Sequence, residues 1–185
     1  VERTKNIVQQ LSEKYSDPQY YGVVTSIAIL NEPATYLSQE LFNVNKQFNY
    51  DAYGAARYPF QGRSDKSGLA VVIHDGFQPS STFGNDFTGS QYEDVILDHH
   101  QYTVFSNAEV AYDDQKRLNT ICGTAGNLNS SPLWIIVGEW SLATTDCALY
   151  LNGRGRGSRY DGSFTGSPQV GSCQGKTGDG SNFSE

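Results

Sequence analysis

Two glutamates, three histidines and a group of aspartates stand directly after short apolar runs, and these are the residues equipped for chemistry. The runs are Val23 to Leu30, Leu69 to Ile73, Val95 to Leu97 and Leu133 to Val137. They end in Asn31-Glu32-Pro33, in His74-Asp75, in Asp98-His99-His100-Gln101-Tyr102 and in Gly138-Glu139-Trp140. Acids and histidines beside a buried segment ordinarily have a partner or a task. Glu32 and Glu139 point to paired-carboxylate chemistry, in which one carboxyl is protonated while its neighbour is ionised. Glycoside hydrolysis needs that combination: a proton on the leaving oxygen and a negative charge facing the anomeric carbon. A metal site built from His74, Asp75, Asp98, His99 and His100 competes, but neither His-Glu-x-x-His nor His-x-His is present, so no metal is expected. The Gly-x-Ser-x-Gly elbow of a serine triad and the Gly-rich phosphate loop are also absent.

Local sequence shapes the two glutamates. A residue before proline is pushed out of the right-handed helical region, so Pro33 predicts that Glu32 finishes its strand extended. Gly138 is expected to clear space beside Glu139, and Trp140 to supply an apolar wall.

The elements that position these residues follow from hydrophobic pattern. The four runs are rich in Val and Ile and near-continuous, as strands of a parallel sheet buried on both faces are. Between them lie helical stretches. Thr4 to Tyr15 carries Ile7, Val8 and Leu11, and Tyr36 to Phe48 carries the stripe Leu37, Leu41, Val44, Phe48. Ala108 to Ile121 carries Val110, Leu118 and Ile121 less regularly, and Gly76 to Tyr92 reads as a loop with room for a short helix. Serial β/α units define the fold class as α/β. In a (β/α) barrel the active site gathers residues from the C-terminal ends of several strands, as the four endings here suggest.

The 185 residues carry 13 Lys+Arg against 20 Asp+Glu, a formal net charge of −7 that argues against a nucleic-acid surface. No apolar run approaches a membrane span of about 18 residues. Many Tyr and Asn with few charges suit a secreted protein handling neutral polar ligands. The chain starts at Val1 and contains no Met and three Cys, which reads as a piece of a longer protein. Cys147 and Cys173 bracket the Gly-rich loop within the Gly/Ser-rich segment 152–185 that follows Leu151, and can pair; a closed loop of roughly 25 residues is worth about 3 kcal/mol. Cys122 is then left over, and unpaired thiols throughout remain the alternative.

The ordered set Asn31-Glu32-Pro33, His100-x-Tyr102 and Gly138-Glu139-Trp140 resembles glycoside hydrolase family five, and more closely its secreted fungal exo-β-1,3-glucanases. Ile73-His74-Asp75-Gly76-Phe77-Gln78, Asp98-His99-His100-Gln101-Tyr102-Thr103-Val104-Phe105-Ser106 and the stretch from Glu139 to Cys173 resemble corresponding segments of these enzymes. The resemblance implies a partial eight-stranded barrel, strands four to seven, with the first three and the eighth absent from one catalytic segment, 1–185. It implies that Glu32 is the general acid/base and Glu139 the nucleophile of a retaining mechanism that releases glucose from β-1,3-glucan. Asn31 would hold the sugar 2-hydroxyl. His100 and Tyr102 would line the subsite beside the nucleophile, with Phe105 and Trp140 as aromatic contacts. His74, Asp75 and Asp98 would act as a proton relay or as supporting hydrogen-bond partners. No cofactor is implied; the partner is a β-glucan or oligosaccharide, with no nucleic acid or membrane, and the expected location is secreted or cell-wall-associated. Endo-action on a β-1,4 or β-1,6 glucan and a non-catalytic glucan-binding fragment are the alternatives.

Overall fold

A computed structural model describes residues 1–176. It is an α/β structure whose four strands form one parallel sheet in the order β1-β2-β3-β4: β1 Ser26–Ala28, β2 Ala70–His74, β3 Val95–Gln101 and β4 Trp134–Trp140. The helices are α1 Glu2–Tyr15, α2 Gln39–Arg57, α3 Ser81–Gly84 and α4 Asp114–Leu128. No helix among the described residues is long and apolar enough to cross a membrane. The chain divides into two compact units, residues 1–100 with 125–138, and residues 101–124 with 139 onward.

The first unit is built on the sheet. Register places Ser26 opposite Ala70, Val71 opposite Val95 and His74 opposite Asp98, which aligns the carboxyl ends of the central strands. Val71, Ile73 and Leu97 are buried against Phe48, Ala52, Tyr53 and Ala56 of α2 and against Phe83 and Phe87. Tyr50, Tyr53, Phe87 and Tyr92 pack ring against ring, and the Tyr53 hydroxyl accepts from the Glu93 amide at 2.9 Å. Arg57, buried at the end of α2, donates to the carbonyl of Ser67 at 2.8 Å and to the Asp94 carboxylate at 2.5 Å. That guanidinium therefore ties the helix end to the loops before β2 and β3.

Several sequence expectations need correction. Only Ser26–Ala28 of the run from Val23 to Leu30 pairs as strand. The expectation that all four strands are buried on both faces holds for β2; β3 is only partly covered, and the edge strands β1 and β4 are largely exposed, with Ile27 and Ile135 packed against the core. The stripe Leu37, Leu41, Val44, Phe48 is not the buried face of α2. The helix starts only at Gln39, because the Ser38 hydroxyl caps it by accepting from the Leu41 amide at 3.1 Å. Its buried face is Asn45, Phe48, Asn49, Ala52, Tyr53, Ala56 and Arg57, while Leu41 and Val44 line an apolar cavity of about 310 Å³. The helical stretch expected from Ala108 is α4, which begins only at Asp114, and Leu118 and Ile121 lie exposed on it.

The second unit is rich in turns, and no strand is assigned between residues 152 and 176; residues 177–185 of the Gly/Ser-rich segment lie outside the described residues. Its frame is made of two polar hubs and a covalent bond. The buried Arg117 guanidinium donates to the carbonyls of Thr103 at 2.6 Å, Glu109 at 2.9 Å and Thr144 at 2.8 Å. Cys147 and Cys173 are disulfide-bonded, and Cys122 is an exposed free thiol. Beside the disulfide, Asp146 accepts from the Ser158 hydroxyl and from the amides of Arg159 and Tyr160.

Two tests follow from this architecture. An edge strand with bare apolar side chains invites pairing with another chain, and Trp134 on β4 is 83 % exposed. Trp134→Lys should reduce self-association of the 185-residue chain, read by light scattering across a concentration series. Burial raises the Asp146 carboxyl, but the Ser158 hydroxyl, the two backbone amides and Asn152 outweigh it and hold the group at about 2 against an ordinary 3.8. Because the folded value is the lower one, this contribution is complete above pH 4 or so and is lost as pH falls toward about 2. It amounts to about 2 kcal/mol. Asp146→Asn should flatten that acid limb in denaturant titrations run from neutral to low pH.

Candidate active site

In the first unit, three of the residues singled out from the sequence, His100, Asp98 and Gly138, form one hydrogen-bonded group with Glu32. The His100 ring lies between two carboxylates, with Nδ1 at 2.7 Å from Glu32 Oε1 and Nε2 at 3.3 Å from Asp98 Oδ2. Asp98 and His100 are two apart on β3 and so share a face. The other oxygen of Asp98 accepts from the Gly138 amide on β4 at 2.9 Å. A Cβ at Gly138 would stand 2.4 Å from that oxygen, so this glycine makes room for Asp98 rather than for Glu139 as the sequence suggested.

A second layer lies under the first. The Asp75 carboxylate is buried; one oxygen meets His99 Nδ1 at 2.6 Å and the other accepts from the Phe77 amide at 2.9 Å. His74 is also buried, with its ring 4.4 Å from that of His100 and nearly perpendicular to it. His74 Nδ1 accepts the Gly76 amide at 2.8 Å, which places the ring proton on Nε2. Burial lowers the His74 pKa below the ordinary value, against the upward pull of Asp75, Asp98 and Glu32, and His100 lowers it further.

Glu32 differs from expectation in its backbone. Its φ is 44°, in the left-handed region, and the strand has already ended at Ala28, so Glu32 does not finish the strand extended. Proline limits the preceding residue by steric clash, yet here the turn and the bond to His100 hold the carboxylate in place, with 37 % of the side chain exposed. Asn31 beside it is exposed.

In the second unit, Glu139 is the penultimate residue of β4, and its Oε2 accepts from the Tyr102 hydroxyl at 2.9 Å. Phe105 packs edge-on against the Tyr102 ring at 5.4 Å and is partly exposed, as is Trp140.

Glu32, His74 and His100 bring potential ligand atoms within 4.8 Å of one another. The bonding does not suit a cation. His74 Nδ1 is used as an acceptor, so Nε2 carries a proton instead of a lone pair, and both His100 nitrogens face carboxylates.

Sequence reasoning named His99 only as part of a competing metal site; its place between Asp98 and His100 turns it to the opposite face of β3, where it meets Asp75. Arg57 and Arg117 were also missed. Nothing local distinguishes a basic residue that ends up on buried carbonyls from one in solvent.

Gly138→Ala should destabilise the fold by about 1–3 kcal/mol through the clash with Asp98. Asp98→Ala combined with Gly138→Ala should cost less than the sum of the two single changes, because the clash partner is gone. Urea unfolding of the four proteins measures that coupling.

Comparison with curated proteins supplies the remaining context. No protein-family profile matches the chain. The chain is 38 % identical over 187 residues to "Glucan 1,3-beta-glucosidase" of Yarrowia lipolytica, covering all of this chain and 42 % of that protein. It is 41 % identical over 180 residues to "Glucan 1,3-beta-glucosidase" of Blumeria graminis, covering 95 % of this chain and 39 % of that protein. For the protein of that name from Schwanniomyces occidentalis the identity is 38 % over 171 residues, covering 92 % and 38 %. The chain is therefore similar over nearly its whole length to fungal glucan 1,3-beta-glucosidases, and it spans about two-fifths of their length.

Proposed function

We propose that this chain is the segment of a retaining glycoside hydrolase that carries both catalytic glutamates and acts on β-1,3-glucan. Glu139 attacks the anomeric carbon while Glu32 protonates the leaving oxygen. Water deprotonated by Glu32 then releases the sugar. The observation that carries this reading is the Tyr102 hydroxyl on Glu139 Oε2 at 2.9 Å, a neutral donor that orients the carboxylate. Asp98 orients His100, and His100 orients Glu32, so the acid/base is aimed by a fixed chain of bonds. Asn31 and Trp140 contact the sugar, and Phe105 walls the entrance.

The similarity to glucan 1,3-beta-glucosidases supports the substrate class, and the parallel sheet suits strands four to seven of a family-five barrel. The same relatives support a secreted or cell-wall location. Glucose, rather than longer fragments, is the first product of such an exo-acting enzyme.

The test uses the full-length natural chain and laminarin. Wild type should release glucose as its β-anomer first, seen by proton NMR. Glu32→Gln should lower kcat by about 10²–10⁴-fold on a substrate whose leaving group needs a proton. Glu139→Gln should lose turnover on every substrate. Full activity in Glu139→Gln, or the α-anomer as first product, would overturn the reading.

A further inference from the structure

We infer that the disulfide-closed loop of the second unit, through Arg154 and Arg156, is a docking surface for a polysaccharide that bears phosphate esters. The inference rests on the cell-wall location proposed above and not on the roles of the two glutamates. The chain as a whole is acidic, with a net charge of −7, yet residues 147–176 carry Arg154, Arg156, Arg159 and Lys176 against one acid, Asp161. That acid is used locally, since its Oδ1 accepts from the Ser163 amide at 3.0 Å and from the Ser163 hydroxyl at 2.5 Å. Arg159 pairs with the buried Asp146 at 3.3 Å. Arg154, Arg156 and Lys176 are exposed, and among the described residues none of them has an acidic partner. A reversal of charge confined to one loop creates a local field that selects anions.

The loop seats two of these cations on rings instead of acids. The Arg154 guanidinium lies 5.7 Å from the Tyr150 ring centroid, and Lys176 Nζ lies 5.7 Å from that of Tyr160. A ring holds a cation in place without neutralising it. Arg156 folds back over the turn that carries Arg154, its Cγ 3.3 Å from the point where a Cβ on Gly153 would stand. Tyr150 opens this turn at φ 67°, a region that costs a bulky residue energy and that marks a conformation with a use. Asn152 closes the far side, donating from its side-chain amide to the Gly157 carbonyl at 3.0 Å and to the Asp146 carboxylate at 2.8 Å.

The backbone between the arginines adds donors. Gly153, Gly155 and Gly157 have φ of +100°, +72° and +72°, while Arg154 and Arg156 are not among the positive-φ residues, so the hand alternates at every step. Such alternation turns successive N–H groups toward one side and makes a concavity for an anionic oxygen. The amides of Arg154, Gly155 and Gly157 donate to no group among the described residues. Two guanidinium forks and these amides match the several acceptor oxygens of a phosphate ester better than the two of a carboxylate. Both arginines stand on open surface, which suits a polymer passing over the loop. An enzyme that works on wall glucan gains from such a contact, because it is concentrated in the matrix by a charged polymer that does not compete for a site built for neutral sugar.

The test uses the full-length natural chain, with immobilised dextran phosphate as the probe and neutral dextran as the reference. Wild type should bind dextran phosphate at low salt and lose about tenfold in affinity on going to about 0.2 M NaCl, because salt screens exposed charges. Arg154→Gln combined with Arg156→Gln should weaken binding by about tenfold at low salt and leave laminarin hydrolysis unchanged. Arg3→Gln combined with Arg63→Gln removes the same charge from exposed positions in the first unit and should weaken binding by less than about twofold. If the first pair folds poorly, Arg156→Gln alone decides, with an expected loss of about threefold. Equal affinity of wild type and the Arg154/Arg156 variant, an equal loss in the Arg3/Arg63 variant, or equal binding of neutral dextran would overturn the surface. Tighter binding of single-stranded RNA than of dextran phosphate would reassign the loop to nucleic acid and overturn the polysaccharide. None of these outcomes bears on the glutamates, which the laminarin assay reads separately.

Discussion

The Asp98 side chain is the constraint on which the first unit's chemistry depends. One oxygen takes the Gly138 amide of β4 and the other faces His100, which in turn holds Glu32. A carboxylate set against a sheet cannot remain there without donors, because an unpaired buried charge is strongly penalised. Satisfying it with one backbone amide and one imidazole settles three things together. Strand β4 is held beside β3, position 138 is restricted to glycine, and the His100 ring is turned toward the glutamate.

Beneath that network the same logic is repeated with less solvent. Asp75 is satisfied by His99 and by the Phe77 amide, and His74 by the Gly76 amide. These bonds shape the loop after β2 as firmly as the apolar core shapes the strand before it. In the second unit Arg117 and Asp146 do equivalent work. Each gathers several backbone groups of turn-rich chain that has no sheet to satisfy them, and the Cys147–Cys173 bond closes the segment between them.

The proposed chemistry asks different things of the two glutamates, and their surroundings differ accordingly. Glu139 meets a tyrosine hydroxyl at the end of a strand. Glu32 sits on a left-handed turn against a histidine that is itself anchored by an aspartate. Similarity to glucan 1,3-beta-glucosidases extends through both regions.

Much of this was legible in the residues themselves. Near-continuous Val/Ile runs announce parallel strands because both faces of an inner strand need apolar cover. Alternation along β3 already puts Asp98 and His100 on one face. Other features were decided only by tertiary structure. The buried face of α2 is set by what packs against it, so Asn45 and Asn49 are covered while Leu41 and Val44 face a cavity. The turn at Glu32 overrides the local bias of Pro33, because a hydrogen bond to a residue far along the chain stabilises a conformation that sterics alone disfavour. Arg57, Arg117 and Asp146 are ordinary surface types by composition. They become hubs only where the fold leaves groups of carbonyls or amides without partners, and that grouping is a property of three dimensions rather than of any stretch of sequence.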